Sequence, residues 1–204
     1  MTCSPPLPHT PPPARASLAG RQRAAQLAAL DPAQALAAAR GCPDAWYRVQ
    51  ALASVAVHAA APEALAILDE AARESRSCPD VYGTVAVMAW PIAVALRLGC
   101  FAFADRELAR VLALAPSVEP AASRAFALQT LWSGCFAAAP RHAGPVWATI
   151  QACCPPDRHW RAARLYQHVA ERSEAHQSGA AARVLRAMPE GPARRKLARR
   201  LGLA

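Results

Sequence analysis

Lysine is almost missing from this 204-residue sequence: Lys196 stands alone beside 22 arginines. Strand signals are also missing. No stretch of strand length alternates Val, Ile, Thr or aromatic residues with polar ones, which argues against a sheet. No apolar run reaches the roughly 20 residues that a membrane-spanning helix needs. Segments 81–96, 125–140 and 142–156 carry no Asp, Glu, Lys or Arg, but they are short and are broken by Pro91, Gly134 and Pro145. They read as buried helices rather than spans. Nine glycines are scattered without clustering, so no phosphate-cradling loop is present. There is no HExxH, no GxSxG and no paired-carboxylate motif. Seven cysteines, at 3, 42, 78, 100, 135, 153 and 154, include no Cys-x2-Cys pair, and no apolar h-region opens the chain. This usage fits a reducing cytoplasmic setting with cysteines as small buried groups.

What is abundant is alanine, the best helix former, and proline at the points where helices should start or stop. An all-α chain is therefore expected. Asp31-Pro32, Asp44 after Cys42-Pro43, Asp80 after Cys78-Pro79 and Asp157 after Pro155-Pro156 each supply capping chemistry for the helix that follows. Helices are expected at about 21–30, 32–40, 45–60, 63–75, 80–98, 102–115, 119–138, 144–153, 158–172, 178–188 and 192–201. Those at 63–75 and 102–115 are amphipathic, whereas 80–98 and 119–138 are apolar nearly all round and read as interior. Pro91 should kink the 80–98 helix or split it after Trp90.

Three units follow. Residues 1–20, with six prolines in the first 13 positions, read as a disordered tail carrying minimal Pro-x-x-Pro patterns at 5–8 and 8–11. Residues 21–190 form the helical body, and 191–204 a basic C-terminal helix.

The hinge prolines Pro43, Pro79, Pro116 and Pro155 recur at steps of 36, 37 and 39 residues. Amphipathic helices alternating with dry ones at such a period imply stacked pairs that share a core. The segment Ala104-x3-Leu108-x2-Val111-x4-Pro116 resembles the second helix and closing proline of a tetratricopeptide repeat. Trp46-x2-Val49 resembles the start of such a repeat's first helix, although Gln50 stands where that pattern has glycine. Steps longer than roughly 34 residues lean toward the HEAT-like end of the same group. The resemblance spans about residues 32–172. It implies an α-α superhelix of stacked antiparallel pairs acting as a non-catalytic protein-interaction scaffold, with a partner segment in its groove.

Net charge is +9, and nearly all of it lies at one end. Residues 158–204 hold ten arginines and Lys196 against Glu171, Glu174 and Glu190, a net +8. Such an end either is a solvated face or meets an anionic partner, and nucleic acid is the alternative to a protein segment. The residues singled out for partner or anion binding are Arg158, Trp160, Arg161, Arg164, Arg183, Arg186, Arg194, Arg195, Lys196, Arg199 and Arg200. The other four tryptophans (46, 90, 132 and 147) read as core. Cys153, Cys154, His159 and His168 match no zinc spacing, and the histidines read as capping and surface residues. Cys42 and Cys78 precede helix N-termini, but a capping Asp opposes a thiolate at each. The sequence thus offers no catalytic, cofactor-binding or metal-ligating set. It leaves the oligomeric state open.

Overall fold

The computed structural model describes residues 13–203. They are all-α, with no strand among them. The helices are α1 (Pro13–Leu27), α2 (Pro32–Arg40), α3 (Ala45–Ala56), α4 (Ala61–Glu74), α5 (Val81–Val87), α6 (Ala89–Arg97), α7 (Phe101–Leu114), α8 (Ala121–Ala138), α9 (Ala143–Cys153), α10 (Trp160–His176), α11 (Ala180–Ala187) and α12 (Pro192–Arg200). None of them is long and apolar enough to cross a membrane.

The aspartate turns set the helix starts. Asp31 accepts from Gln34 N at 2.9 Å, Asp44 from Trp46 N at 2.8 Å and Asp80 from Gly83 N at 2.6 Å, each satisfying an orphan donor of its helix. Arg48 clamps the first Cys-Pro-Asp turn. Its guanidinium donates to the carbonyls of Cys42 and Pro43 and pairs with Glu74 at the end of α4. Gly99, at φ +75°, ends α6 in the left-handed region, where the Cys100 N–H reaches Ala95 O at 2.8 Å.

Three sequence expectations need correction. First, α1 starts at Pro13, so residues 13–20 are helical rather than part of a tail. Proline is tolerated at the first helical position, and the turns that follow carry a stripe of small residues. Ser17 is buried and its hydroxyl accepts from Asp44 N at 3.1 Å. Gly20 lies so close to the Cys42 thiol that a Cβ would sit 2.8 Å from the sulfur. The Pro-x-x-Pro patterns fall on residues 1–12, outside the described residues. Second, the 80–98 helix breaks at Met88 rather than after Trp90. Pro91 has no N–H to offer Val87 O, four residues back, and its ring crowds that carbonyl, so the chain turns before the clash.

Third, Asp157 does not cap α10. His159 does, its Nδ1 accepting from Arg161 N at 3.1 Å. Asp157 instead accepts from Ala193 N at 2.8 Å and so holds the start of α12. A Cβ on Gly191 would strike that carboxylate. Replacing Asp157 with Ala should cost about 1 kcal/mol. Hydrogen exchange should show the loss as faster exchange confined to α12, with the amides of α3 and α8 unchanged.

The inner helices pack on one another in sequence: α3 on α6, both α5 and α6 on α8, and α8 on α10. The remaining helices flank them, with α2 and α4 against α3, α7 against α6, α9 against α8 and α11 against α10. Leu52, Leu68, Met88, Ile92, Leu128, Leu131, Ile150 and Leu165 are the large fully buried aliphatics of this core. Each is worth roughly 1.5–3 kcal/mol in apolar burial. Polar contacts tie the flanking helices together: Arg40 to Glu70 (α2–α4), Asp69 to Arg106 (α4–α7), and Gln151 to the Ala187 carbonyl (α9–α11).

Candidate functional site

The helices that read as dry all round are not covered all round. Helices α3, α6 and α8 border one open cavity, and α8 and α10 border a second. Ala53, Ser54 and Val57 of α3, Trp90, Ala93 and Arg97 of α6, and Thr130, Gly134 and Ala137 of α8 bound the first, of about 320 Å3. Small side chains keep it open. Gly134 also brings α8 onto α6, where a Cβ would sit 3.0 Å from Ala89 O.

Aromatic residues cluster beside the first cavity. Trp46 stacks on Tyr82 with centroids 5.9 Å apart and meets Trp90 edge-on at 6.0 Å. Trp90 is 36% exposed and Phe126 44%. Next along α8 and α10, Phe126, Gln129, Trp160, Arg161, Arg164, Gln167, His168 and Glu171 line a second cavity of about 390 Å3. Trp160 is 57% exposed. The Arg161 guanidinium lies 5.1 Å from the Trp160 ring and 5.9 Å from Phe126, and Arg164 lies 5.7 Å from Trp160. Among the described residues, neither Arg161 nor Arg164 is ion-paired, and neither is Arg97 in the first cavity. Burial raises the Tyr82 pKa and Asp80 adds to the rise, while Arg161 opposes it, so Tyr82 stays a neutral hydroxyl.

The residues singled out from sequence are divided. Trp160, Arg161 and Arg164 come together here, because positions 160, 161 and 164 share one face of α10. Arg158 points into a different cleft, beside Cys153 and Cys154. Arg183 lines a third, near Trp132 and Trp147, and donates to Gln177. Arg186 is exposed on α11. On α12, Arg194 pairs with Glu190 and Arg200 with Glu171, while Arg195, Lys196 and Arg199 are exposed and have no ion pair among the described residues.

The tryptophans divide as well. Trp132 is 2% exposed and stacks on Phe136, as core packing requires. Trp90 lines the first cavity, against the core expectation, whereas Trp46 is partly buried and packs against the core. A helix apolar on every side gives no sign of which stripe is left uncovered, so this was not legible from periodicity. His168 is half-buried at the second cavity rather than fully exposed. It hydrogen-bonds Ser133 Oγ at 2.8 Å and meets Trp132 edge-on, and burial, followed by Arg172, lowers its pKa. No set of His, Cys, Asp and Glu suited to a metal ion occurs among the described residues.

An all-helical chain with open cavities lined by aromatic residues and arginines is the class that fold and site define. No family model, curated protein or solved structure matches it.

Proposed function

We propose that this protein is a non-catalytic interaction module of the helical-repeat kind, and that its two cavities serve as the groove for a partner protein's segment carrying apolar and acidic side chains. One observation carries the reading: Trp90 stands exposed in one cavity beside Arg97, and Phe126 and Trp160 in a second beside Arg161 and Arg164, and among the described residues none of these three guanidiniums has a carboxylate partner. Exposed aromatic and arginine anchors in a concave surface are where binding energy concentrates. The stacked-pair arrangement draws support from the order of packing, in which α3, α6, α8 and α10 meet in turn, each with a flanking helix against it. The Ala-rich first cavity receives apolar side chains, and the guanidiniums receive carboxylates.

The test is a displayed 12-residue peptide library selected on the whole chain. Enriched peptides should combine apolar with acidic residues. Trp160→Ala or Arg161→Ala should weaken them about 30-fold or more, the effect of losing roughly 2 kcal/mol at an anchor. Replacing Arg195, Lys196 and Arg199 together should leave them unchanged. Peptides indifferent to the groove variants would overturn the reading. The nucleic-acid alternative would take its place if oligo(dT) or poly(U) bound instead, with affinity falling steeply as salt rises.

A further inference from the structure

Cys153 and Cys154 end α9, where Pro155 and Pro156 stop the helix. Cys154 is buried. Cys153 is half-buried and opens into a cleft of about 370 Å3 formed by the start of α8, the end of α9 and the start of α10. Arg124, Arg158 and His159 share that lining. Arg124 is held from the other side: its Nη1 donates to Pro116 O at 2.9 Å and to Glu119 at 3.2 Å. Its Nε is buried and has no partner. Neither nearby carboxylate competes for the cleft, since Glu119 is tied to Arg124 Nη1 and Asp157 to Ala193 N. His159 Nδ1 is taken by the α10 cap. Arg124 thus brings a guanidinium with a spare N–H to the cleft that two adjacent sulfurs also line, a setting that favours a sulfur anion.

We propose that Cys153 and Cys154 form a dithiol site that reacts with hydroperoxides, Cys153 as the attacking thiolate and Cys154 as the resolving thiol. The Cys153 sulfur attacks one oxygen of ROOH. An S–O bond forms, the O–O bond breaks, and the alkoxide leaves and takes a proton from water as ROH. Cys153 is then a sulfenic acid. The Cys154 sulfur attacks the Cys153 sulfur, the S–S bond forms, and hydroxide leaves with the Cys154 proton as water. In sum, two thiols and ROOH give a disulfide, ROH and water, with the sulfurs giving up two electrons to the peroxide.

The protonation states agree. Interaction with the adjacent Cys154 thiol lowers the Cys153 pKa against its burial, with Arg124 adding to the fall, and the same interaction raises Cys154. The C-terminal end of α9 disfavours an anion through its dipole, and the Arg124 charge opposes that effect. Elsewhere burial pushes thiols up, Cys78 to about 11 and Cys135 to about 12, so those sulfurs stay protonated. The site is separate from the aromatic groove and does not depend on what the groove binds.

The experiment exposes the reduced full chain to limiting hydrogen peroxide, blocks free thiols with N-ethylmaleimide and maps the peptides. The peptide holding Cys153 and Cys154 should lose two hydrogens and regain them with dithiothreitol. Its oxidation should run at least tenfold faster in the native chain than in the urea-unfolded chain, a comparison that needs no variant. In Cys154→Ser, dimedone should trap a sulfenic acid on Cys153. Equal rates in native and unfolded chains, oxidation of Cys100 as fast as Cys153, or no dimedone adduct in Cys154→Ser would each overturn the proposal.

Discussion

Gly134→Val should destabilise the protein by about 3 kcal/mol, the upper part of the range for overpacking a close contact. In a chain of this size that is a fall of roughly 6–12 °C in Tm. The reason lies in the α6–α8 contact. A Cβ at position 134 would stand 3.0 Å from the Ala89 carbonyl and 3.4 Å from the Ala93 Cβ. The carbonyl is backbone and cannot swing aside, so the two helices must separate. Two branch methyls would enlarge the gap and take up part of the first cavity, which Gly134 lines. Peptide binding and Tm should therefore fall together, whereas Trp160→Ala should lower binding alone. Calorimetry on both variants checks this. A Gly134→Val chain with unchanged Tm would mean that α6 and α8 do not meet at this point.

Glu107→Ala should cost about 2–3 kcal/mol near neutral pH. Glu107 is buried, yet it carries charge because two arginines hold it: Arg110 Nε at 2.7 Å and Arg106 Nε at 3.0 Å. Arg106 also reaches Asp69 on α4, and Arg110 reaches Ser75 just after it, so the pair fastens α7 to the end of α4. Losing one partner of a buried pair costs roughly 3–5 kcal/mol. The figure here is smaller because Arg106 is half-exposed and regains water. Burial pushes the Glu107 pKa up, but the hydrogen bonds and charges of Arg110 and Arg106 outweigh it, so the net shift is downward. A carboxyl with a lowered folded-state pKa contributes its stability above its unfolded value of about 4.3. That contribution is lost as pH falls through the folded value. The difference between wild type and Glu107→Ala should thus be full at pH 6–7 and shrink in acid. Urea unfolding at several pH values reads it directly, and a difference that grew on acidification would contradict this account.

How much was legible in the sequence depended on how far away each partner lay. Asp31, Asp44 and Asp80 were readable because a cap and the N–H it bonds are two or three residues apart. Asp157 was misassigned for the opposite reason: its partner, Ala193, is 36 residues on, and local pattern cannot see it. The first turns of α1 were hidden by the prolines before them, since Ser17 and Gly20 matter only once Cys42 and Asp44 are beside them. Gln50 looked like a departure from the repeat pattern. It is buried, and its amide oxygen accepts from Arg21 of α1 at 2.7 Å. The Trp160–Arg161–Arg164 cluster was visible because it is a helical face, but its neighbour Phe126 comes from another helix. The sequence offers Cys153 and Cys154 only a metal role or buried packing, because the arginine that shares their cleft lies 29 positions before Cys153.

The polar contacts that fasten helix to helix have one more consequence. Among the described residues, no side-chain hydrogen bond or ion pair joins positions more than 37 apart. Each stretch of chain needs only what was synthesised shortly before it. Folding can therefore follow the ribosome, closing short loops in turn at little entropic cost, and without waiting for the last residues. Pulled from either end in an optical trap, such a molecule should give way in successive small steps rather than in one rupture.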